Sequence, residues 1–139
     1  MDIEVARTFL RDQLTVAASR ALPTGQGPLV TDDTGPVAPD PTLDGTMSRF
    51  VCYLNVEVGD PADTRTPREH VVAVGRVLAS MGWQVTAPLD DTQYVEVIGE
   101  RDGFSVAVRM WHGQRVLRLH GVTPVFSAAS VTALDDGVG

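Results

Sequence analysis

Between Ile3 and Leu22 the apolar residues Ile3, Ala6, Leu10, Leu14, Ala17 and Ala21 recur every three or four positions, and Phe9 and Val16 broaden the stripe. That period predicts an amphipathic helix, with Pro23 as its stop. The pattern then vanishes. Residues 23–47 hold five prolines, four glycines and four aspartates without periodicity, and are expected to form a long irregular connection. Strict alternation returns at Ser48–Val58: Phe50, Cys52, Leu54, Val56 and Val58 fall on one side, Arg49, Val51, Tyr53, Asn55 and Glu57 on the other. This is the signature of a half-buried strand.

Gly59-Asp60-Pro61 interrupts the strand, and Thr66-Pro67-Arg68-Glu69 combines a capping box with proline at the first helical position. A second helix is predicted from there to about Met81, with Val71, Val74, Leu78 and Met81 inward and Gly82 closing it. Gly75 weakens such a helix unless a neighbour needs the space. Four more strand-like runs follow: Trp83–Ala87, Tyr94–Glu100, Phe104–Trp111 and Arg115–Gly121. Glycine-bearing turns at Arg101-Asp102-Gly103 and His112-Gly113-Gln114 make the last three an antiparallel meander. The order predicts a single α+β domain over residues 1–139, a two-layer sandwich with a mostly antiparallel sheet of about five strands and two helices on one face. Residues 127–139 are expected to be a flexible acidic tail.

The second half carries short recurring features: Gly82-Trp83 after the helix, Arg101-Asp102-Gly103-Phe104 opening a strand, and Leu117-Arg118-Leu119 leading to Thr123-Pro124. In these it resembles a group of small actinobacterial lipoproteins and secreted proteins of unknown function. Their members show Gly-Tyr after the helix, an Asp-Gly-Phe hairpin and a closing Thr-Pro-Cys or Ser-Pro-Cys. Here Val125 stands where that group has a cysteine, and its lipobox has no counterpart. The resemblance spans most of the chain and implies a fold, with no catalytic residue.

Composition narrows the function classes. The chain has 139 residues, 43% of them hydrophobic and 21% charged, which is ordinary for a globular protein. All eleven basic residues are arginine; a lysine Schiff base and a lysine P-loop are therefore excluded. The start Met1-Asp2-Ile3-Glu4 lacks the basic and apolar regions of a secretory signal, and no apolar run approaches a membrane span. With one cysteine, Cys52, the expectation is a soluble protein at a cytoplasmic address, or an extracytoplasmic one if a leader has been removed. The net charge is -7, but residues 48–126 hold eight arginines against nine acids with no basic stripe. Nucleic acid is thus not an expected partner.

Candidate chemistry is sparse. Asp33-Thr34-Gly35 matches the aspartic-protease tripeptide, yet sits in the Pro/Gly-rich segment, where it reads as a turn signal. Cys52 alternates with apolar neighbours and reads as core. His70, His112 and His120 lack metal-ligand spacing, with His70 in a first helical turn and His112 in a hairpin turn, both expected to be solvated. Asp90-Asp91 and Asp32-Asp33 read as turn formers. No metal or cofactor is expected. The outward strand faces are richer, because parity places Tyr53, Arg109, Trp111, Arg118 and His120 away from the helices, a composition typical of interface hot spots.

Three readings follow. The first is a non-catalytic protein-binding module, an immunity-type inhibitor or a secretion chaperone or accessory protein, using this face or pairing with a second copy through a sheet edge. The second is a small-ligand carrier or sensor with a pocket between residues 23–47 and the sheet. An enzyme using Asp33, Cys52 and His120 ranks last.

Overall fold

A computed structural model describes residues 2–22, 27–37, 49–59 and 63–127. The first helix, α1 (Ile3–Ala21), is capped by Asp2, whose carboxylate accepts from the Val5 N–H. It buries Ile3, Ala6, Leu10, Leu14, Ala17 and Ala21 of the predicted stripe together with Ala18, whereas Phe9 is half-buried and Val16 is exposed. The second, α2 (Pro67–Ser80), begins with the predicted capping box: Glu69 N–H donates to Thr66 Oγ1 at 3.2 Å and Thr66 N–H to Glu69 Oε1 at 3.3 Å. Gly75 earns its place by close approach, since a Cβ there would stand 3.3 Å from Val85 Cγ1 and 3.5 Å from Val97 Cγ2.

The strands are β1 (Leu29–Val37), β2 (Arg49–Gly59), β3 (Gln84–Val85), β4 (Leu89–Asp90), β5 (Tyr94–Arg101), β6 (Phe104–Trp111), β7 (Val116–Val122) and β8 (Phe126–Ser127). The sheet runs β1-β2-β7-β6-β5-β3, with β4 also on β5 and β8 also on β2, and each of these pairings is antiparallel. The architecture is the expected α+β sandwich. Helix α1 packs over β2 and β7, and α2 over β5 and β6. Leu54, Val56, Val58, Val95, Val97, Val106, Val108, Met110, Leu117 and Leu119 join the inner stripes of both helices in one buried cluster. One sheet face therefore drives folding by apolar burial, and among the described residues no helix lies on the other.

Three expectations need correction. Residues 29–37 of the supposed irregular connection are strand β1; the rest of that segment, apart from 27 and 28, lies outside the described residues. β1 escapes a pattern search because register shifts between Val30 and Asp32 and between Thr34 and Val37 destroy the period of two. As an edge strand it needs one ladder only, so Pro36 is tolerated. The predicted run Trp83–Ala87 is only β3, since at Thr86 the side-chain oxygen takes over as acceptor for Ile98 N–H at 2.9 Å, and Pro88 separates it from β4. Among the described residues the sheet has eight strands, those beyond the expected five or so, β1, β4 and β8, being short or irregular. Ser127, placed in the tail, pairs with Arg49; residues 128–139 lie outside the described residues.

Candidate binding site

Cross-strand register assembles the outer face row by row. Asp32, Asn55, His120, Ala107 and Ile98 are successive partners across β1, β2, β7, β6 and β5. The next row reads Leu29, Glu57, Arg118, Arg109, Glu96 and Leu89. Trp111 opposes Tyr94 beyond it. The β5–β6 register follows from a two-residue turn in which Asp102 and Gly103 both take positive φ, 50° and 86°, the geometry that matches the twist of antiparallel strands.

The five residues singled out from sequence are brought together here. Tyr53 stacks on His120 with ring centroids 5.8 Å apart and 18° between planes. The Arg118 guanidinium lies 5.4 Å from the Trp111 ring centroid and donates to Glu57 Oε1 from Nη2 at 2.8 Å and from Nε at 3.1 Å. Arg109 lies 4.9 Å from the Tyr94 ring and donates to Glu96 Oε2. Each arginine is thus clamped between a carboxylate and an aromatic face, which lowers the entropy that a partner must remove on binding. Asn55, Ala107, Arg109, Trp111, Arg118 and His120 surround a hollow of about 300 Å³.

Polar geometry fixes the state of His120. Asn55 Nδ2 points to Asp32 Oδ2 at 3.5 Å, so its amide oxygen faces His120 Nδ1 at 2.6 Å. Nδ1 therefore carries the proton and Nε2 remains an acceptor. Burial, reinforced by the charge of Arg109, lowers the His120 pKa below 6.5 against the opposing pull of Asp32; at neutral pH the ring is neutral.

Parity placed Asn55 and Glu57 on the side of Tyr53 without marking them as partners, and Tyr94, Glu96 and the small Ala107 were not singled out. Their signal was the register, which the Asp102-Gly103 turn sets for β5 and β6. Three exposed aliphatics flank the same face: Leu29 at 65%, Leu89 at 58% and Val116 at 42%. A lone surface aliphatic is unremarkable, but three around an aromatic and arginine centre match interface composition.

The residues considered for catalysis do not meet. Asp33 opposes Leu54, so it faces the helix side, where Arg7 Nε donates to Oδ1 at 2.8 Å and Arg11 to Oδ2. It is a strand residue tied to α1, and the turn expected around Asp33-Thr34-Gly35 is corrected accordingly. Cys52 is 1% exposed on the same inner side, and burial raises its thiol pKa, leaving a poor nucleophile. His120 lies on the opposite face.

His70 also departs from expectation. It is buried instead of solvated, with Nε2 3.1 Å from Asp63 Oδ2. Arg65, bound to the same carboxylate, holds the Asp63 pKa well below the ordinary carboxylate range. Arg65 also donates to the Ala21 carbonyl oxygen at 3.0 Å, joining the end of α1 to the start of α2. His112 is exposed in its turn as expected.

No known family's sequence profile matches the chain, and no curated protein matches it. Among solved structures it is similar to LppA, a candidate lipoprotein of Mycobacterium tuberculosis, with a TM-score of 0.58 over 94% of this chain and 81% of LppA at 13% identity. That likeness is one of fold. It agrees at the same coarse level with the sequence resemblance to small actinobacterial lipoproteins. Among the described residues no helix is long and apolar enough to cross a membrane.

Proposed function

We propose that this chain is a non-catalytic binding protein whose outer sheet face, opposite the helices, holds a protein partner, in the manner of an immunity-type inhibitor or a secretion chaperone. The observation that carries this reading is the organisation of the outer face. Two arginines clamped on aromatic rings stand at its centre, and exposed Leu29, Leu89 and Val116 stand around them. The separation of Asp33 and Cys52 from His120 favours binding over catalysis. Both central arginines are matched by glutamates, which favours a protein surface over nucleic acid.

A sheet-edge homodimer has less support. β1 carries Asp32, Asp33, Pro36 and two register shifts, and the other edge is broken at Pro88; such devices discourage edge pairing. The carrier reading gains from the hollow beside His120; the pocket expected between residues 23–47 and the sheet lies largely outside the described residues. A cytoplasmic address belongs to the proposal, and cell fractionation tests it: recovery in the detergent phase would replace it with a lipoprotein-like address.

The binding role is tested by placing a photo-crosslinking amino acid at position 111 and, separately, at exposed Arg76 on α2. A defined protein crosslinked from 111 and not from 76, and lost on Tyr53→Ala, supports the reading. Equal capture from both positions would remove it.

A further inference from the structure

Like charges directly opposed on neighbouring strands destabilise a sheet, yet Arg109 and Arg118 face each other across β6 and β7. Their carboxylate partners lie on the far sides, Glu96 on β5 and Glu57 on β2, and neither lines the hollow between them. Among the described residues the hollow is walled by two cations and no anion. Arg118 spends Nε and Nη2 on Glu57 and Arg109 spends Nε on Glu96, so among the described residues three terminal N–H₂ groups keep their donors. Ala107, opposite His120, contributes only a methyl group and leaves the depth. His120 Nε2 supplies an acceptor at the rim, and Trp111 a flat wall.

We propose that this hollow binds a carboxylate: the guanidinium groups of Arg109 and Arg118 take its two oxygens, and His120 Nε2 accepts from a hydroxyl or N–H beside it. The inference rests on the binding-face reading and sharpens it, since the anchor becomes an Asp, Glu or C-terminal carboxylate of a partner. A free small acid offers the same chemistry. A planar monoanion suits the arginine forks, whereas a phosphate dianion meets Glu57, Glu96 and Asp32 close by.

Tryptophan fluorescence of the full chain reads the site, because Trp83 is buried at 3% exposure while Trp111 lines the hollow. The probes are benzoate, its neutral isostere benzamide, inorganic phosphate, and a capped tetrapeptide holding one Asp beside its Asn counterpart. Benzoate should saturate about tenfold or more tightly than benzamide, the loss expected when a charged hydrogen bond is removed. The Asp peptide should likewise surpass the Asn peptide if the source is a protein; benzoate alone saturating assigns a free acid. Trp111→Phe should remove the signal, and Arg109→Gln or Arg118→Gln should weaken binding about tenfold. Ala107→Leu narrows the hollow while leaving Glu57 and Glu96 in place for the two arginines and should abolish saturation at an unchanged melting temperature. Equal response to benzoate and benzamide, tighter saturation by phosphate, or binding retained in Ala107→Leu would overturn the site. A protein partner lost in Tyr53→Ala but kept in Ala107→Leu would remove the carboxylate site and leave the binding face standing.

Discussion

The two faces of one sheet obey different rules. On the inner face nearly every strand position is aliphatic and buried, and the helices supply matching stripes. On the outer face many adjacent residues of the same strands are charged, aromatic or small, and they satisfy one another sideways: Glu57 with Arg118, Glu96 with Arg109, Tyr53 with His120. Burial of the first kind stabilises by roughly 25 cal/mol per Å², whereas exposed ion pairs contribute about 0–1 kcal/mol. The inner face therefore holds the fold, and the outer face is free to be shaped by what it touches.

Substitution of neighbours on β7 breaks this comparison most sharply. Leu119→Ala, at 0% exposure, should cost about 2–5 kcal/mol in urea unfolding, while Arg118→Ala should cost about 1 kcal/mol or less. Equal costs would mean that the outer row carries the fold as well. Gly35→Ala extends the test to the edge strand, because φ is 136° and a Cβ there would stand 2.8 Å from Cys52 Cα. A loss of about 1–3 kcal/mol is expected; no loss would mean that β1 is dispensable to the sheet. Thr123→Val removes the acceptor at 2.9 Å from the buried Cys52 N–H, for an expected cost of about 1–3 kcal/mol.

How much of this was legible from the chain follows the same division. Inner-face positions announced themselves, since burial imposes periodicity: Ile3 to Ala21 at the helical period, Phe104 to Met110 at the strand period. Thr66 and Glu69 gave the start of α2 because a capping box is a local device. β1 was hidden because its stability comes from elsewhere, from the β2 ladder and from Arg7 and Arg11 holding Asp33. His70 was misread for a similar reason, its partner Asp63 lying before the helix instead of within it. For the outer face, parity alone found Tyr53, Arg109, Trp111, Arg118 and His120; their partners required the register, a tertiary property outside β5 and β6.

The smallest effect is a pH dependence. The His120 pKa is lowered in the folded chain by burial and by Arg109, so below 6.5 the unfolded chain binds the proton more readily and stability falls with pH. Its contribution is complete above 6.5 and is lost as the pH drops toward the folded value. Urea unfolding at high and low ends of that window should show a larger acid loss for the native chain than for His120→Gln. An identical loss would contradict the neutral, Asn55-bound ring.

The claim that the outer face is a binding surface apart from the folding core is tested most directly on one variant measured twice. Tyr53→Ala with Trp111→Ala should keep the native melting temperature within a few degrees, about the shift that 1 kcal/mol produces, and should lose the crosslinked partner. A variant that keeps the partner, or loses it only by unfolding, would contradict the account.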